Sequence, residues 1–381
     1  MVLTAISVLL LSAWIGLATT RLPLFRTVPR LAVPPSPASW PGVVAVIPAR
    51  DEEATIEAVV SAHAAADYAG PFSVIIVDDH STDATAARAR AVSFARLAIV
   101  DAPPLPPGWT GKLSAVNAGL AHAASIAPDA KYVLLTDADI VLAPQTLTRL
   151  VATAEDSGAA MVSLMARLDA RGVWGALLIP AFVYFFYKLY PFHLANDPTK
   201  KLAAAAGGCM LVRREALDAI GGVEAIRGRL IDDCALAAAI KASGRLIWIG
   251  AAKDEAISLR DNRALSSIWS MVARSAFAQL GHSWLLLTGT VIGMILLYLA
   301  PPAIALAWPV HHDGAAAALA AGAWATMART YQPMTRLYGQ KPWRTFLLPV
   351  AALLYTLMTL TSAVNHLRGK GGQWKGRTYP A

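Results

Sequence analysis

Residues 132–136, Tyr-Val-Leu-Leu-Thr, form an apolar run that stops abruptly on Asp137-Ala138-Asp139. A short apolar run bounded by polar groups reads as a buried strand. A strand buried on both faces belongs inside an open α/β sheet, which leaves its ligand crevice at the carboxyl ends of its strands. Positions i and i+2 of a strand face the same way, so the pattern predicts that Asp137 and Asp139 project together into that crevice. Two carboxylates on one side repel each other unless a cation lies between them. Hard oxygen ligands of this kind suit Mg²⁺ or Mn²⁺, which can also hold a diphosphate. A plainer reading stays open, in which one Asp caps a helix begun by Ala143-Pro144.

The surrounding sequence repeats the theme. From Gly42 onward, short β-runs alternate with Ala-rich helical stretches, the pattern of a doubly wound, mostly parallel sheet. Val43–Ile47 is the first strand, and Pro48-Ala-Arg50-Asp-Glu52-Glu53 leads into a helix reaching about Ala66. Acids in a first helical turn are favoured by the macrodipole, so Asp51 to Glu53 read equally well as capping. Ser73–Val77 is the second strand and ends in Asp78-Asp79, with Ser81 or Asp83 as N-cap of the next helix. One cap does not need both adjacent acids, and a carboxylate there can accept the imide N–H of a uracil.

Leu97–Val100 is a third strand, followed by a Pro-rich loop into Gly108-Trp-Thr-Gly-Lys112. Glycines flanking Trp109 allow close approach of a ligand, and Lys112 at a helix start can meet a phosphate or a base. Met161–Met165, the Ala203–Arg214 stretch and Arg245–Ile249 supply further strands, the last of them final in this reading. Ile231-Asp232-Asp233-Cys-Ala-Leu236 opens another helix, with one acid expected to cap it. The other stays in the crevice, where a like-charged neighbour raises its pKa and fits it to act as a general base. Arg274, on the amphipathic segment Ile268–Ser275, can meet an anionic leaving group.

Of the 381 residues 56% are hydrophobic and only 15% charged, too apolar for an ordinary soluble enzyme. Val2–Thr20 is uncharged and long enough to span a bilayer. Arg21, Arg26 and Arg30 follow it, which puts the next domain on the cytoplasmic side. A Pro-rich linker, residues 23–41, spaces membrane from domain. Val173–Tyr187, interrupted by Pro180, reads as a helix on the membrane surface or lining an acceptor channel, or else as a core helix. Ser283–Val310 spans once, with Pro301-Pro302 kinking or ending it. Ala315–Ala328 is a weaker segment, and Thr345–Asn365 spans again, giving a carboxy-terminal membrane region of two to three helices over 283–366 and a basic tail over 367–381. The net charge of +8 is partly juxtamembrane, with Arg368, Lys370, Lys375 and Arg377 in the tail. It points to anionic lipid headgroups and not to nucleic acid, because no aromatic residues interleave a basic face. Cys209 and Cys234, without metal-ligand neighbours, argue for a reduced compartment and against a disulfide scaffold or zinc.

The set P-A-R-D-E-E, V-D-D-H-S-T-D, G-W-T-G-K, T-D-A-D and I-D-D-C-A-L, in this order, resembles the family 2 glycosyltransferases of GT-A fold over roughly residues 41–280. The flanking membrane segments and L-I-P-A-F-V-Y-F-F look most like the hopene-associated glycosyltransferases of bacterial hopanoid biosynthesis. The resemblance implies a GT-A domain over 42–280, a nucleotide-sugar donor, a divalent metal and the bacterial inner membrane as location. It implies that Pro48, Arg50 and Glu52 shape the nucleotide pocket, that Asp79 with Asp78 binds the uracil, and that Lys112 lies near base or diphosphate. Asp137 would face ribose or metal, Asp139 would hold the metal, and Asp233, beside Asp232, would be the base of an inverting transfer. Asp232 stands where the family has Glu. Met271 and Ser275 occupy the Gln and Trp positions of the processive Gln-x-x-Arg-Trp motif, so only Arg274 matches and a single sugar transfer is implied.

The implied acceptor is a hopanoid-related lipid. Polyprenyl phosphate, ceramide-like lipids and diacylglycerol remain open, as does a non-catalytic membrane scaffold of the same fold. A nucleotide-dependent oxidoreductase is disfavoured because no G-x-G-x-x-G follows the first strand.

Overall fold

A computed structural model describes residues 1–26, 28–31 and 35–372, with only the backbone of 21–26. The lipid contacts expected of Arg21, Arg26, Lys375 and Arg377, and the linker residues Val33 and Pro34, lie outside the described residues.

Among the described residues nine strands form two sheets. The larger has the order β3-β2-β1-β4-β7-β6-β8, with β1 Val43–Ala49, β2 Phe72–Asp78, β3 Leu97–Asp101, β4 Tyr132–Thr136, β6 Met161–Met165, β7 Cys209–Arg213 and β8 Ile247–Ala251. β1 is buried at all seven positions and β4 at all five, as continuous apolar runs in the middle of a parallel sheet require. β3, at the edge, is only half-buried. The sheet is mostly parallel, but β7 runs antiparallel to both β4 and β6. That reversal matters for the site. Because Thr136 at the end of β4 pairs with Cys209 at the start of β7, the loop entering β7 lies beside the acids that leave β4.

The second sheet was not foreseen from the sequence. β5, Ile140–Leu142, pairs antiparallel with β9, Ala256–Ser258, with Ile140 opposite Ser258. Three-residue strands carry too little periodicity to be read from sequence, and β9 corrects the expectation that β8 is the last strand. β5 also corrects the expected geometry of the two acids. β4 ends at Thr136, so Asp137-Ala138-Asp139 is the turn into β5, closed by Ile140 N–H donating to Asp137 O at 3.1 Å. The acids do not alternate along one strand, and neither caps the next helix, Thr146–Ser157, whose N-cap position is Gln145.

The helix Gly111–Ile126 lies close against β1 and β2 at Gly119. A Cβ there would stand 2.4 Å from Val46 Cγ1 and 2.8 Å from Val77 Cγ2. Glycine is thus what lets this helix, and Lys112 in its first turn, sit against the sheet.

Among the described residues four helices are long and apolar enough to cross a membrane: Val2–Thr20, Gly172–Leu189, Trp284–Leu306 and Pro342–Leu367. The first lies within a longer helix, Val2–Arg26. Gly172–Leu189 keeps Pro180 inside an unbroken helix and is half-buried, packing against the Gly314–Leu337 and Leu348–Leu367 helices. Of the readings open for this segment, helix packing predominates, with one face turned to the cleft described below. In Trp284–Leu306 the Pro301-Pro302 pair does not end the span. It sits at the start of a new α-helical turn after a π-helical stretch, Ile295–Leu299, where a proline lacks no needed donor. The weak segment over 315–328 is part of a 24-residue helix, Gly314–Leu337, which packs along Val2–Arg26.

The first helix is bound to these later segments by side chains. Thr4 Oγ1 donates to Asp313 Oδ2 at 2.8 Å, and Trp14 Nε1 to Leu297 O at 2.8 Å within the π-helical stretch. Lys188 donates to Tyr298 Oη at 2.7 Å and lies 5.3–5.5 Å from the ring centres of Trp14, Tyr184 and Tyr298, a cation–π arrangement that joins three helices.

Candidate active site

The carboxyl ends of β1 and β4, the loop before β7, the start of the Asp232–Ala242 helix and the β9–Arg274 segment surround one cleft of about 250 Å³. This is near the lower end of the roughly 300–1,000 Å³ typical of ligand sites. Pro48, Glu52, Lys112, Asp137, Asp139, Asp232, Asp233 and Arg274 all line it. Eight of the residues singled out in the sequence therefore converge.

Asp137 and Asp139 look to different walls of that cleft. Asp137 Oδ1 lies 2.8 Å from Lys112 Nζ, which also lies 3.1 Å from Asp232 Oδ2. Burial opposes the Lys112 charge, but Asp137 and Asp232 outweigh it and hold the pKa above its ordinary value. Burial pushes the Asp137 carboxyl up, reinforced by Asp139 and opposed by Lys112. Asp139 accepts from Ser258 Oγ at 2.9 Å and has Arg260 Nε at 3.9 Å. Its backbone carbonyl takes the N–H of Leu259 at 2.7 Å, so the β5–β9 sheet is what positions it.

Asp232 and Asp233 occupy the first turn of their helix, but Ile231 holds the N-cap position and no side chain caps it. The expected division into one capping and one free acid is replaced by another. Asp232 pairs with Lys112, while Asp233 accepts Gly207 N–H at 2.9 Å through Oδ2 and Cys234 N–H at 2.7 Å through Oδ1. Burial first, then the charge of Asp232, push Asp233 up to about 6, against the pull of Lys112 and the two N–H donors. A carboxyl with that pKa is suited to take a proton near neutral pH.

The Gly207 loop is built for this contact. Thr136 Oγ1 donates to Gly208 O at 2.7 Å, and Ala206 N–H donates to Ser163 Oγ at 2.9 Å. A Cβ on Gly207 would stand 3.3 Å from Lys112 Nζ and 3.5 Å from Asp233 Oδ2. The sequence pattern places the Ala203–Arg214 stretch among the strands and gives no sign of Gly207 as a donor to Asp233. No sequence signal marks a backbone N–H, so only the β4–β7 pairing reveals it.

Asp78, Asp79 and Arg50 do not line this cleft but cluster beside it at the end of β2. Asp79 is buried, and Arg50 donates to its carbonyl at 2.6 Å with Nη1 3.9 Å from its carboxylate. Asp78 accepts from Ser81 Oγ. The capping expected of Asp51 and Glu53 is corrected: Asp51 Oδ1 accepts Thr82 N–H at 2.8 Å and Glu53 Oε2 accepts Ala84 N–H at 3.1 Å. They fasten two loops at neighbouring strand ends, because the helix they were expected to cap starts only at Ile56. Asp83 likewise makes a local turn, accepting Thr85 N–H at 2.9 Å, with Ala84 at the N-cap position.

The rest of the cleft lining is apolar and basic. Phe182 and Phe186 of the Gly172–Leu189 helix, with Leu168 and Met271, form one wall, and Arg229, Arg260 and Arg274 stand around it. Burial and the nearby Arg260 lower the pKa of Arg274. Two further arginines, Arg229 and Arg260, thus join the one named from sequence.

Among the described residues no three His, Cys, Asp or Glu side chains assemble into a preformed metal cage. Asp137 and Asp139 on one cleft nevertheless fit Mg²⁺ or Mn²⁺, which bind through one or two carboxylates and complete their shells with substrate phosphates and water.

A family model for "Glycosyltransferase like family 2" matches residues 41–277. An N-acetylglucosaminyltransferase of Mesorhizobium japonicum is 29% identical over 187 residues, 48% of this chain and 42% of the relative, so the chain spans less than half of that relative's length. The mannosyltransferase PcManGT of Pyrobaculum calidifontis, solved with GDP-Man and Mn²⁺, superposes with a TM-score of 0.57 at 23% identity, over 93% of this chain and 99% of that one.

Proposed function

The chain belongs to the glycosyltransferase-like family 2 and has a GT-A-like, mostly parallel sheet, and from that premise we propose a membrane-bound inverting enzyme that moves one sugar from a nucleotide-sugar to a lipid hydroxyl. We assign it to the bacterial inner membrane with the catalytic domain on the cytoplasmic side, a UDP-sugar as donor and a hopanoid-type lipid as acceptor, on the strength of the motif resemblance and the apolar helices.

The observation that carries the reading is that Asp233, raised to about 6, shares one cleft with Asp137 and Asp139 and with Phe182 and Phe186. An acceptor lying along the phenylalanine wall presents its hydroxyl to Asp233. The carboxylate takes the proton as the hydroxyl oxygen bonds to the anomeric carbon, and the bond from that carbon to the diphosphate breaks on the opposite face. Gly207 and Cys234 N–H groups hold the base in place for this transfer. Asp137 and Asp139 would hold a divalent ion, which when bound stabilises charge on the departing diphosphate. Lys112 and Arg274 add positive charge around the same leaving group. Asp78, Asp79, Arg50, Pro48 and Glu52 are assigned to the nucleotide.

The test is glycosyl transfer to extracted lipids with Mn²⁺, comparing the native chain with Asp233→Asn. We expect transfer by the latter to be about 10²–10⁴-fold slower than by the former, although both retain UDP binding. Transfer unimpaired in Asp233→Asn overturns the assigned base. Lipid profiling of a strain lacking the chain, with accumulation of an unglycosylated precursor, identifies the acceptor.

A further inference from the structure

Lys112 holds the carboxylates on both sides of the cleft at once. Its ammonium contacts Asp137, assigned above to the metal side, at 2.8 Å and Asp232, on the base side, at 3.1 Å. Without it, Asp137, Asp232 and Asp233 would leave three carboxylates facing each other in a partly buried space, a costly arrangement unless a cation sits among them. The ammonium has little freedom to leave. Lys112 belongs to the first turn of a helix fixed by Thr110, whose N–H donates to Arg227 O at 2.9 Å, and by the close approach of Gly119 to β1 and β2. On the Gly207 side the backbone closes off the space, since even a Cβ would come within 3.3 Å of Nζ.

We propose that Lys112 is a built-in countercation that keeps the divalent ion off Asp137 until a nucleoside diphosphate brings it in. The inference rests on the assignment of Asp137 and Asp139 to the metal. Three observations carry it together. The ammonium already occupies one oxygen of Asp137. Asp139 is engaged by Ser258, with Arg260 beyond. No cage of three acidic, His or Cys side chains stands ready among the described residues. A free dication arriving at this cleft meets the positive charge of Lys112 and finds few protein oxygens. A dication already carrying a diphosphate brings its own ligands and enough negative charge to offset the ammonium. Lys112 then releases Asp137 while keeping Asp232, so it stays in the cleft beside the base. Metal and nucleotide affinities are thereby coupled, each strengthening the other by the same factor.

The experiment uses the full chain in detergent and follows Mn²⁺ binding by electron paramagnetic resonance, with and without UDP, and with GDP in parallel. For the native protein UDP should tighten Mn²⁺ binding by about 100-fold. Removing one positive charge a few ångströms from a dication should, after screening and relaxation, tighten binding of Mn²⁺ alone by about tenfold in Lys112→Gln. The effect of UDP shrinks in the same proportion. Lys112→Arg, which keeps the charge, should behave as the native protein. An unchanged or weakened affinity for Mn²⁺ alone in Lys112→Gln, with the nucleotide effect intact, overturns the countercation and leaves the metal assignment standing. Absence of Mn²⁺ binding in every protein even with nucleotide overturns both. The native protein also decides without any variant: Mn²⁺ bound equally well with and without UDP or GDP refutes the proposal.

Discussion

Replacing Asp233 by asparagine separates two consequences of one part-buried carboxyl, the service as a base proposed for it and its burden on the fold. Asp233 is pushed from 3.8 up to about 6. A carboxyl raised in the folded state contributes stability that is fully present below its unfolded pKa and is lost as pH rises through the folded one. A shift of about 2 units corresponds to about 3 kcal/mol, lost between about pH 4 and pH 7. Contact with solvent at the cleft mouth reduces this to about 1–3 kcal/mol. Asparagine does not titrate, so the difference in stability between Asp233→Asn and the native chain should move in the variant's favour by that amount between pH 4 and pH 8. A separate term is independent of pH. The carboxamide can accept only one of the two N–H groups that Asp233 accepts, those of Gly207 and Cys234, and the unsatisfied donor costs about 1–3 kcal/mol. The change with pH therefore isolates the titration of Asp233, because the lost hydrogen bond contributes equally at every pH. Thermal unfolding in detergent at pH 4.5, 6 and 8 reads it as a relative gain of a few degrees for the variant at high pH. Transfer should fall by about 10²–10⁴ above pH 7, and by less at lower pH, because the native rate itself should rise as pH passes through about 6. Parallel stability profiles for the two proteins would refute the claim that burial and Asp232 raise this carboxyl.

Gly207→Ala places a methyl 3.3 Å from Lys112 Nζ and 3.5 Å from Asp233 Oδ2. Turnover should drop by about tenfold with little change in melting temperature, because a small displacement of a positioned base is costly to rate. Gly119→Ala sets a methyl 2.4 Å from Val46 Cγ1 and should destabilise the catalytic domain by about 1–3 kcal/mol, measured by thermal unfolding, with UDP affinity falling as Lys112 is displaced. Phe186→Ala, on the apolar wall, should raise the KM for lipid several-fold and leave the donor KM unchanged. An altered donor KM would place that wall on the nucleotide side.

The long apolar strands were legible because burial on both sheet faces forces unbroken runs, and Val43–Ile47, Ser73–Val77 and Tyr132–Thr136 all fall within β1, β2 and β4. The convergence of Lys112 with Asp137, Asp139, Asp232 and Asp233 on one cleft was legible too, although Asp78 and Asp79, acids at a strand end as well, stand beside it. What could not be read was direction. Asp137 and Asp139 were expected on one face, yet a three-residue strand follows them and turns one to Lys112 and the other to Ser258. Ser258 itself carries no sequence signal, since it reaches Asp139 only through a strand pairing 119 residues distant. The acids of Asp51-Glu52-Glu53 misled in a related way. Local electrostatics favours a cap, but Asp51 and Glu53 find backbone donors across the neighbouring loop.

The contact of Trp14 with Leu297 and of Thr4 with Asp313 joins positions 283 and 309 residues apart. During synthesis the helix carrying Thr4 and Trp14 is made long before Leu297 and Asp313, so its indole and hydroxyl meet these partners only after the catalytic domain has been made. Assembly of the bundle is then among the last events of biogenesis. A protein cut after the catalytic domain would leave that helix bereft of the acceptors that its indole and hydroxyl take here.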